Sequence, residues 1–311
     1  MSGAREWDGH RGAVVDAASG HDVLACEVCG FRHVVPLPSA AELEAVYREE
    51  YYTVAKPRNL ERAREEAEWS DLVFGDRLET LESLLAGRRR LLDAGCGAGS
   101  FLSLAQRRGW RALGVEPSPH AADHCRGQGL DVVQAFLTAE TLDALGPFDA
   151  VYAGQLLEHL PDPAATVALL AGALEPGGVL CACVPNDYNE LQEAVRAGDG
   201  REPWWVVPPH HLNFFDGPSL EGLLERAGLE VVAREGSFPL EVFLLMGDDY
   251  IGDDELGRRC HERRKRLELA LAAAGRNDLK RKVYEALAAL GLGREVVVYA
   301  VRPGGAGTGR P

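Results

Sequence analysis

The chain has 311 residues, 46% of them hydrophobic, which is enough for one large domain with additions or for two domains. Its formal net charge of −15 argues against a general role in binding nucleic acid or membrane surfaces. Residues 1–12 lack the apolar segment of a secretory signal, and no apolar run is long enough to cross a bilayer. The seven cysteines are odd in number and scattered, so we expect reduced thiols in a cytoplasmic protein.

The first 87 residues are predicted to form a cysteine knuckle and a helical cap that precede the main fold. Ser39 and Glu42 have the spacing of a capping box at the start of a helix. A second helical stretch begins near Leu60, and an amphipathic helix ends at Gly87. Three leucines mark the apolar face of that last helix: Leu78, Leu81 and Leu85.

A glycine loop opens the predicted core, which runs over residues 88–236. In residues 91–101, an apolar run ends in Asp93, glycine then occupies every second position of a turn, and a helix follows. Glycines in such a strand–turn–helix loop let backbone N–H groups approach a nucleotide closely. Because Asp93 would repel a pyrophosphate, NAD and ATP fit poorly. A better match is S-adenosylmethionine (SAM), which has no phosphate but carries an ammonium group and a sulfonium.

The loop closely resembles motif I of class I SAM-dependent methyltransferases, and three later segments resemble that family's other motifs in the same order. Glu116, 17 positions after Gly99, ends a second strand, where the family's acidic residue holds the ribose hydroxyls. Residues 148–153 resemble the fourth strand, and residues 174–180 resemble the turn into the fifth. The resemblance implies that the following residues bind SAM: Asp93, Gly95, Cys96, Gly97, Gly99, Glu116, Pro117, Gln155 and Leu156.

The fold expected from this resemblance and from the alternation of strands and helices is α/β. It is a doubly wound, Rossmann-like sheet of seven strands with an antiparallel last strand. Ser219 is predicted to cap a helix ending at Gly228, and residues 229–232 form the sixth strand.

The carboxyl-terminal part departs from the family's minimal pattern, in which the sixth and seventh strands form a hairpin. Here residues 237–294 intervene, and we expect a helical insertion that packs on the core, covers the pocket and shapes acceptor specificity without contacting SAM. The last strand occupies residues 295–302, and the tail, residues 303–311, is predicted to be disordered. Residues 248–255 are strongly acidic, and an exposed charged loop is preferred there over a cation site. An apolar period marks one more amphipathic helix: Leu279, Val283, Ala286, Leu287 and Leu290.

Cys26 and Cys29 form a knuckle of the kind that binds zinc. The surrounding residues resemble the amino-terminal segment of a methyltransferase subgroup that includes deoxysugar C-methyltransferases. That segment commonly has two Cys-x-x-Cys pairs, whereas this chain has one, and a structural zinc site needs four ligands. His10, His21 or His33 could complete the set. A knuckle that packs without metal is the preferred interpretation.

Methyl transfer to a hydroxyl or a C–H acid needs a base that titrates near neutral pH, and histidine is the usual choice. Family topology places three histidines near the pocket: His159 after the fourth strand, and His210 and His211 after the fifth. His159 could equally fix its loop, so His211 is the preferred base. Four aromatic residues nearby either wall the acceptor site or pack in the core: Trp204, Trp205, Phe214 and Phe215.

These observations predict a SAM-dependent methyltransferase acting on a small molecule. The expected acceptor is a hydroxyl or an activated carbon of a sugar, nucleotide-sugar or secondary metabolite. Two alternatives remain open at this point: a methyltransferase for protein or RNA, and a non-catalytic SAM-binding sensor or partner subunit.

Overall fold

The computed structural model describes residues 4–18, 20–39, 42–43 and 59–304. The capping box at Ser39 and Glu42 is confirmed, since Glu42 N–H donates to Ser39 Oγ at 3.3 Å and Ser39 N–H donates to the Glu42 carboxylate at 2.7 Å. Most of the helix predicted to follow it, and residues 305–311 of the tail predicted to be disordered, lie outside the described residues.

The described part of the chain forms two β-sheets with helices around them. The strands, in chain order, are β1 (Ala4–Trp7), β2 (His10–Ala18), β3 (His21–Cys26), β4 (Arg32–Val35), β5 (Arg90–Ala94), β6 (Arg111–Val115), β7 (Val132–Val133), β8 (Phe148–Gly154), β9 (Leu174–Pro185), β10 (Asn213–Phe214), β11 (Glu230–Gly236) and β12 (Glu295–Val301). The helices are α1 (Asn59–Glu65), α2 (Ala67–Leu85), α3 (Ser100–Arg107), α4 (Pro119–Gly127), α5 (Ala139–Leu145), α6 (Pro163–Gly172), α7 (Glu190–Asp199), α8 (Gly217–Arg226), α9 (Glu241–Leu245), α10 (Asp254–Ala273) and α11 (Asn277–Ala289). A short 3₁₀ turn covers Leu157–His159.

The larger sheet has seven strands in the order β11-β12-β9-β8-β5-β6-β7. Strands β5 to β9 all run parallel to one another. Strand β12 runs antiparallel to both of its neighbours, β9 and β11. This confirms the predicted doubly wound fold with an antiparallel last strand. Strand β9 is buried from Val179 to Pro185, as expected for a central strand covered by helices on both faces. The leucines predicted for the face of α2 are buried in the core between that helix and the sheet.

The smaller sheet is antiparallel, with the order β1-β2-β3-β4-β10. For residues 1–87 the sequence predicts a knuckle and a helical cap, and strands β1 to β4 are not predicted. They contain as many alanines as valines, and alanine is depleted in strands, so pairing partners as well as propensity hold them in place. The fifth strand of this sheet, β10, comes from a segment that follows the core strands β5 to β9 in the chain. The small sheet is therefore joined directly to the core.

Helix α8 begins differently from the prediction. Asp216, and not Ser219, is its cap: the Asp216 carboxylate accepts from Ser219 N–H at 2.9 Å, and Ser219 Oγ accepts from Asp216 N–H at 2.9 Å. The two residues form a reciprocal capping box, in which Ser219 is the inner partner.

Helix α11 exists as predicted, but its packed face is not the apolar one. Leu279, Val283 and Leu290 are 48%, 46% and 69% exposed. The side turned inward carries Lys280, which is 2% exposed and forms an ion pair of 2.7 Å with Asp76 of α2. The apolar period therefore predicted the helix but not its orientation.

The acidic run at residues 248–255 is a charged loop, as preferred from the sequence. Asp249 forms a two-fold contact with Arg201 at 2.9 and 3.0 Å, and Asp253 caps α10. Within the described ranges, we find no helix with the length and apolar character needed to span a membrane.

Candidate active site

The glycine loop leaves β5 and enters α3 with its glycines in the left-handed region of φ. Gly95 has a φ of 72° and Gly99 a φ of 76°. A Cβ at Gly99 would lie 2.6 Å from Leu130 Cδ1 and 2.8 Å from Cys125 Sγ, so this position needs glycine for both its backbone and its packing. At Gly95 the added atom would meet Leu156 Cδ1 at 3.1 Å, which shows how closely the loop after β8 approaches.

Asp93 at the end of β5 is a buried carboxylate, 2% exposed. Its Oδ2 accepts no hydrogen bond from any residue in the described part of the chain. Burial, together with the nearby charge of Glu116, raises the pKa of Asp93 to about 8. Such a group is stabilised by a nearby cation.

Glu116, just past β6, is held by backbone donors. Its Oε2 accepts from Gly97 N–H at 3.0 Å and its Oε1 from Ser118 N–H at 2.9 Å. Burial nevertheless raises its pKa above the usual range. Two buried carboxylates side by side form a site suited to a ligand with a positive charge and hydroxyl donors, which SAM has.

A cleft begins beside Glu116 and extends past the loop after β8. Its lining combines Thr166 of α6 with residues at or just after the ends of β5, β6, β7 and β8: Gly95, Val115, Glu116, Pro117, Phe136, Leu137, Gln155, Leu156, His159 and Leu160. The carboxyl ends of parallel strands are where ligands bind in open α/β sheets. Gln155 lies here with a φ of 52°, a left-handed conformation that costs a non-glycine residue roughly 1–3 kcal/mol and is often kept at functional sites.

A second cavity continues from the first across Gly95 and Gln155, which line both. It contains Asp93 and is closed by side chains from α2 and α10, among them Arg77 and His261. His261 belongs to the 237–294 insertion, so the insertion borders the same cavity as Asp93. That the insertion shapes acceptor specificity without contacting SAM stays a prediction.

The predicted cofactor residues thus fall into three groups. Pro117 and Leu156 line the first cleft, and Cys96 lines the second cavity. Gly97 holds Glu116 through its N–H, and Gly99 supports the start of α3.

The three predicted histidines come together at one place. His159 Nδ1 lies 2.5 Å from the His210 backbone oxygen, so Nδ1 carries the hydrogen and donates it. The rings of His159 and His211 meet edge-to-face with centroids 5.1 Å apart. His159 Nε2 lies 3.7 Å from Glu158 Oε1. Among the three, His159 lines the cleft, and the His211 ring packs against the His159 ring. His210 contributes the backbone carbonyl that accepts the hydrogen bond from His159.

One donor atom each of Glu158, His159 and His211 lies within 4.8 Å of the others. This arrangement suits a base oriented by a neighbouring carboxylate. The same donor types also occur at open divalent-metal sites.

Of the aromatic residues weighed as acceptor walls, three are core residues instead. Trp205 is 4% exposed, and Phe214 and Phe215 are fully buried. Trp205 and Phe214 pack against Val23 of the small sheet, while Trp204 is half-buried and stacks edge-on against Trp205 at 4.7 Å.

Sequence reasoning missed two parts of the site. Phe136 and Leu137 line the cleft from the loop after β7, a two-residue strand that gives almost no periodic signal. Arg77 lies in the second cavity and donates hydrogen bonds to Tyr152 Oη and, at 3.2 Å, to Glu295 Oε2. A signal for Arg77 existed, because it lies four residues before Leu81 on the buried face of α2.

Comparisons with known proteins agree with this geometry. A family model described as a methyltransferase domain matches residues 57–234, more than half of the chain. A ubiquinone biosynthesis O-methyltransferase of Methylococcus capsulatus is 39% identical over 162 residues, which are 49% of this chain and 67% of that protein. The enzyme of the same name from Dinoroseobacter shibae is 32% identical over 154 residues, 47% of this chain and 62% of that protein. The chain thus spans about three fifths to two thirds of these relatives.

Two solved structures share the fold. Magnesium protoporphyrin IX methyltransferase (ChlM) from Synechocystis PCC 6803, solved with bound SAH, superposes with a TM-score of 0.51 at 10% identity and covers 85% of this chain and all of that one. The plantazolicin methyltransferase BamL, in complex with a substrate analogue and SAH, has a TM-score of 0.51 at 17% identity and covers 84% of this chain and 97% of its own. Since the family match spans the glycine loop, Glu116 and all three histidines, the chain belongs to the family of SAM-dependent methyltransferase domains.

Proposed function

We propose that this chain transfers the methyl group of SAM to a hydroxyl or an activated carbon of a small molecule, such as a sugar, a nucleotide-sugar or a secondary metabolite. The observation that carries the proposal is one cleft that joins the buried carboxylate Glu116 to His159. The relatives are named O-methyltransferases, which favours oxygen as the acceptor atom. The net charge of −15 favours a small acceptor over a polyanion such as RNA.

In this proposal, the cofactor is held by groups of both polar and apolar character. Asp93 pairs with its ammonium group, and Glu116, kept in place by two backbone N–H groups, accepts from the ribose hydroxyls. Phe136 and Leu156 supply apolar walls for the adenine. When bound, SAM supplies a methyl group on a sulfonium, and a nucleophile attacks it in line with the sulfur.

The acceptor is activated by the pair His159 and His211. His159 Nδ1–H is fixed on the His210 carbonyl, so Nε2 is the basic nitrogen that takes the proton. Glu158, at 3.7 Å from Nε2, stabilises the imidazolium that forms. The sequence favoured His211 as the base, whereas the cleft favours His159, with His211 holding its ring. Both roles are open to the same test.

The test starts by incubating the protein with deuterated-methyl SAM and a panel of catechols, sugars and nucleotide-sugars, with mass spectrometry of the products. Transfer to a member of the panel supports the proposal. Labelling of protein or RNA fractions alone, or a folded protein that binds no SAM, would contradict it.

The role of each histidine is then read from the rate with an accepted substrate. Loss of a general base costs about 10²–10⁴-fold in rate. We expect this loss in His159→Ala, together with loss of the pH dependence that a histidine base gives the rate. His211→Ala should show the same loss if it is the base and a smaller one if it only supports His159. His21→Ala, in the small sheet, is the matched control and should keep the wild-type profile.

A further inference from the structure

A second cluster of chemically active side chains lies in the small sheet. His10 begins β2, Cys26 ends β3, Cys29 follows in the next turn and His33 lies in β4. One donor atom of each lies within 4.8 Å of all the others. We call these four residues the His₂Cys₂ cluster. A structural zinc site needs four ligands, and these four residues supply them, which the Cys-x-x-Cys pair alone does not.

The spacing within the cluster matches tetrahedral zinc. Zinc binds thiolate sulfur at about 2.3 Å and imidazole nitrogen at about 2.0–2.1 Å, which puts neighbouring sulfur and nitrogen ligands roughly 3.5 Å apart. His10 Nδ1 lies 3.6 Å from Cys26 Sγ and 3.2 Å from Cys29 Sγ. In the turn between the two cysteines, Cys29 N–H donates to Cys26 Sγ at 3.4 Å, which fixes the position of the sulfur.

His33 gives independent support. Its side chain is 1% exposed, and its Nδ1 lies 3.0 Å from the Val34 carbonyl, so Nδ1 carries the hydrogen. Its Nε2 is buried and has no hydrogen-bond partner within the described ranges. Metal-binding histidines commonly donate one ring N–H to a backbone carbonyl and offer the other nitrogen to the ion. A buried nitrogen without a partner is otherwise costly.

We propose that the His₂Cys₂ cluster binds one structural zinc ion, and that this ion stabilises the β4–β10 pairing which supports the acceptor side of the catalytic cleft. Four protein ligands leave no open position for substrate, so the ion is structural. The metal site does not depend on the proposed function, and only the name "acceptor side" rests on it.

The connection from the ion to the cleft is short. His33 lies directly opposite Asn213 in the β4–β10 pair. The Asn213 amide donates to the carbonyl oxygens of Leu157 at 3.0 Å and Leu160 at 2.7 Å, the two ends of the turn that carries His159. The preceding residue, Leu212, donates its N–H to the Glu158 carbonyl at 2.8 Å. Fixing His33 therefore fixes the strand that holds this turn.

Metal analysis tests the first half of the proposal. Protein purified without chelators should contain one zinc per chain by plasma mass spectrometry. His33→Gln and Cys29→Ser should lose it, and His21→Gln, a histidine in the same sheet but outside the cluster, should keep it. Wild-type protein with no more zinc than His33→Gln, even after incubation with zinc chloride, would overturn the site.

Because the variants could fail to fold, the wild type provides a second measurement. After zinc is removed by a chelator and replaced with cobalt(II), the protein should show the strong visible absorption of tetrahedral cobalt and a thiolate-to-metal band. A spectrum typical of hydrated cobalt would refute the His₂Cys₂ ligand set.

Hydrogen exchange tests the second half. Zinc removal should speed amide exchange at least tenfold in residues 157–160 and 212–214, while SAM affinity, measured by titration on the same sample, stays within about twofold. Faster exchange confined to residues 26–31 would show that the ion does not support the cleft. Loss of SAM binding as well would show general unfolding and also overturn the coupling.

Discussion

Replacing Asp93 by asparagine separates the two effects of this buried carboxylate. Asparagine keeps the shape of the side chain and removes the charge. The pKa of Asp93 is about 8 in the folded protein, against an ordinary value of 3.8. Between these two values the folded state binds more protons than the unfolded state, so the free energy of unfolding falls as pH rises.

The slope is at most about 1.4 kcal/mol per pH unit, or roughly 4 kcal/mol between pH 4 and pH 7 as an upper limit. We therefore expect Asp93→Asn to stabilise the cofactor-free protein at neutral pH. In urea unfolding, its advantage over the wild type should grow by up to about 3 kcal/mol from pH 5.5 to pH 7.5.

SAM binding should respond in the opposite sense. The ligand's ammonium group titrates at about 7.7–8.0, so it remains charged between pH 6 and pH 7. Over that interval Asp93 must lose a proton to pair with it, so the wild-type Kd should fall by up to about tenfold as pH rises. Asp93→Asn should bind SAM about 10–150-fold more weakly at pH 7, the loss of a charged hydrogen bond of roughly 1.5–3 kcal/mol, with little pH dependence.

Calorimetry in buffers of different ionisation enthalpy should detect close to one proton released per SAM bound at pH 6.5 in the wild type, and none in the variant. Asp149→Asn is the matched control. Asp149 accepts from Arg88 and from the N–H groups of Arg89 and Arg90 at the far end of the sheet, so its loss should lower stability and leave SAM affinity unchanged. Wild-type affinity in Asp93→Asn, or a wild-type Kd that is flat from pH 6 to pH 7, would refute the reasoning.

Three further changes follow from contacts already described. Gly99→Ala should lower the free energy of unfolding by about 1–3 kcal/mol in urea denaturation, because the new Cβ meets Cys125 Sγ at 2.8 Å; an unchanged midpoint would contradict this. Glu116→Ala should weaken SAM binding by roughly 1–3 kcal/mol in a calorimetric titration, and full affinity would exclude it from the ribose site. Asp216→Ala should cost about 0.5–2 kcal/mol by removing the cap of α8. Burial raises the pKa of Asp216, but the bonds from Ser219 outweigh it and the net pKa is lowered. The stability from Asp216 is thus present above pH 4 and is lost as pH falls through the folded pKa, so the gap between wild type and variant should close in acid.

The parts of the fold that the sequence predicted are those whose signal is local. The glycine loop contains its strand end, its turn and its helix start within eleven residues, and each needs a particular residue type. Five of the seven residues of Glu295–Val301 are β-branched or aromatic, and the segment forms the last strand as predicted. Family order then positioned Glu116 and the three histidines near one cleft.

The parts that were missed depend on contacts between distant residues. Strands β1 to β4 have weak propensity and are held by pairing that ends on β10, about 180 residues further along. The inward face of α11 is set by Lys280, whose partner Asp76 lies in a helix some 200 residues earlier. A buried ion pair reverses the face that an apolar period predicts. The sequence offers His10, His21 and His33 as partners of the cysteine pair, and the paired strands bring His10 and His33 beside it.

The use of β10 as the fifth strand of the small sheet has a consequence for how the chain is made. During synthesis, residues 4–35 leave the ribosome long before Asn213 and Phe214, so the β4 edge stays open while most of the core is still being translated. An open edge of this kind can pair with another chain, and Arg32 and His33 on β4 place polar side chains there. The small sheet is completed by β10, and the larger sheet is completed later still by β11 and β12. A truncated chain that starts at residue 59 would lack the small sheet. It would therefore expose β10 and the side chains of Leu212 and Phe214, which are fully buried against the small sheet in the whole chain.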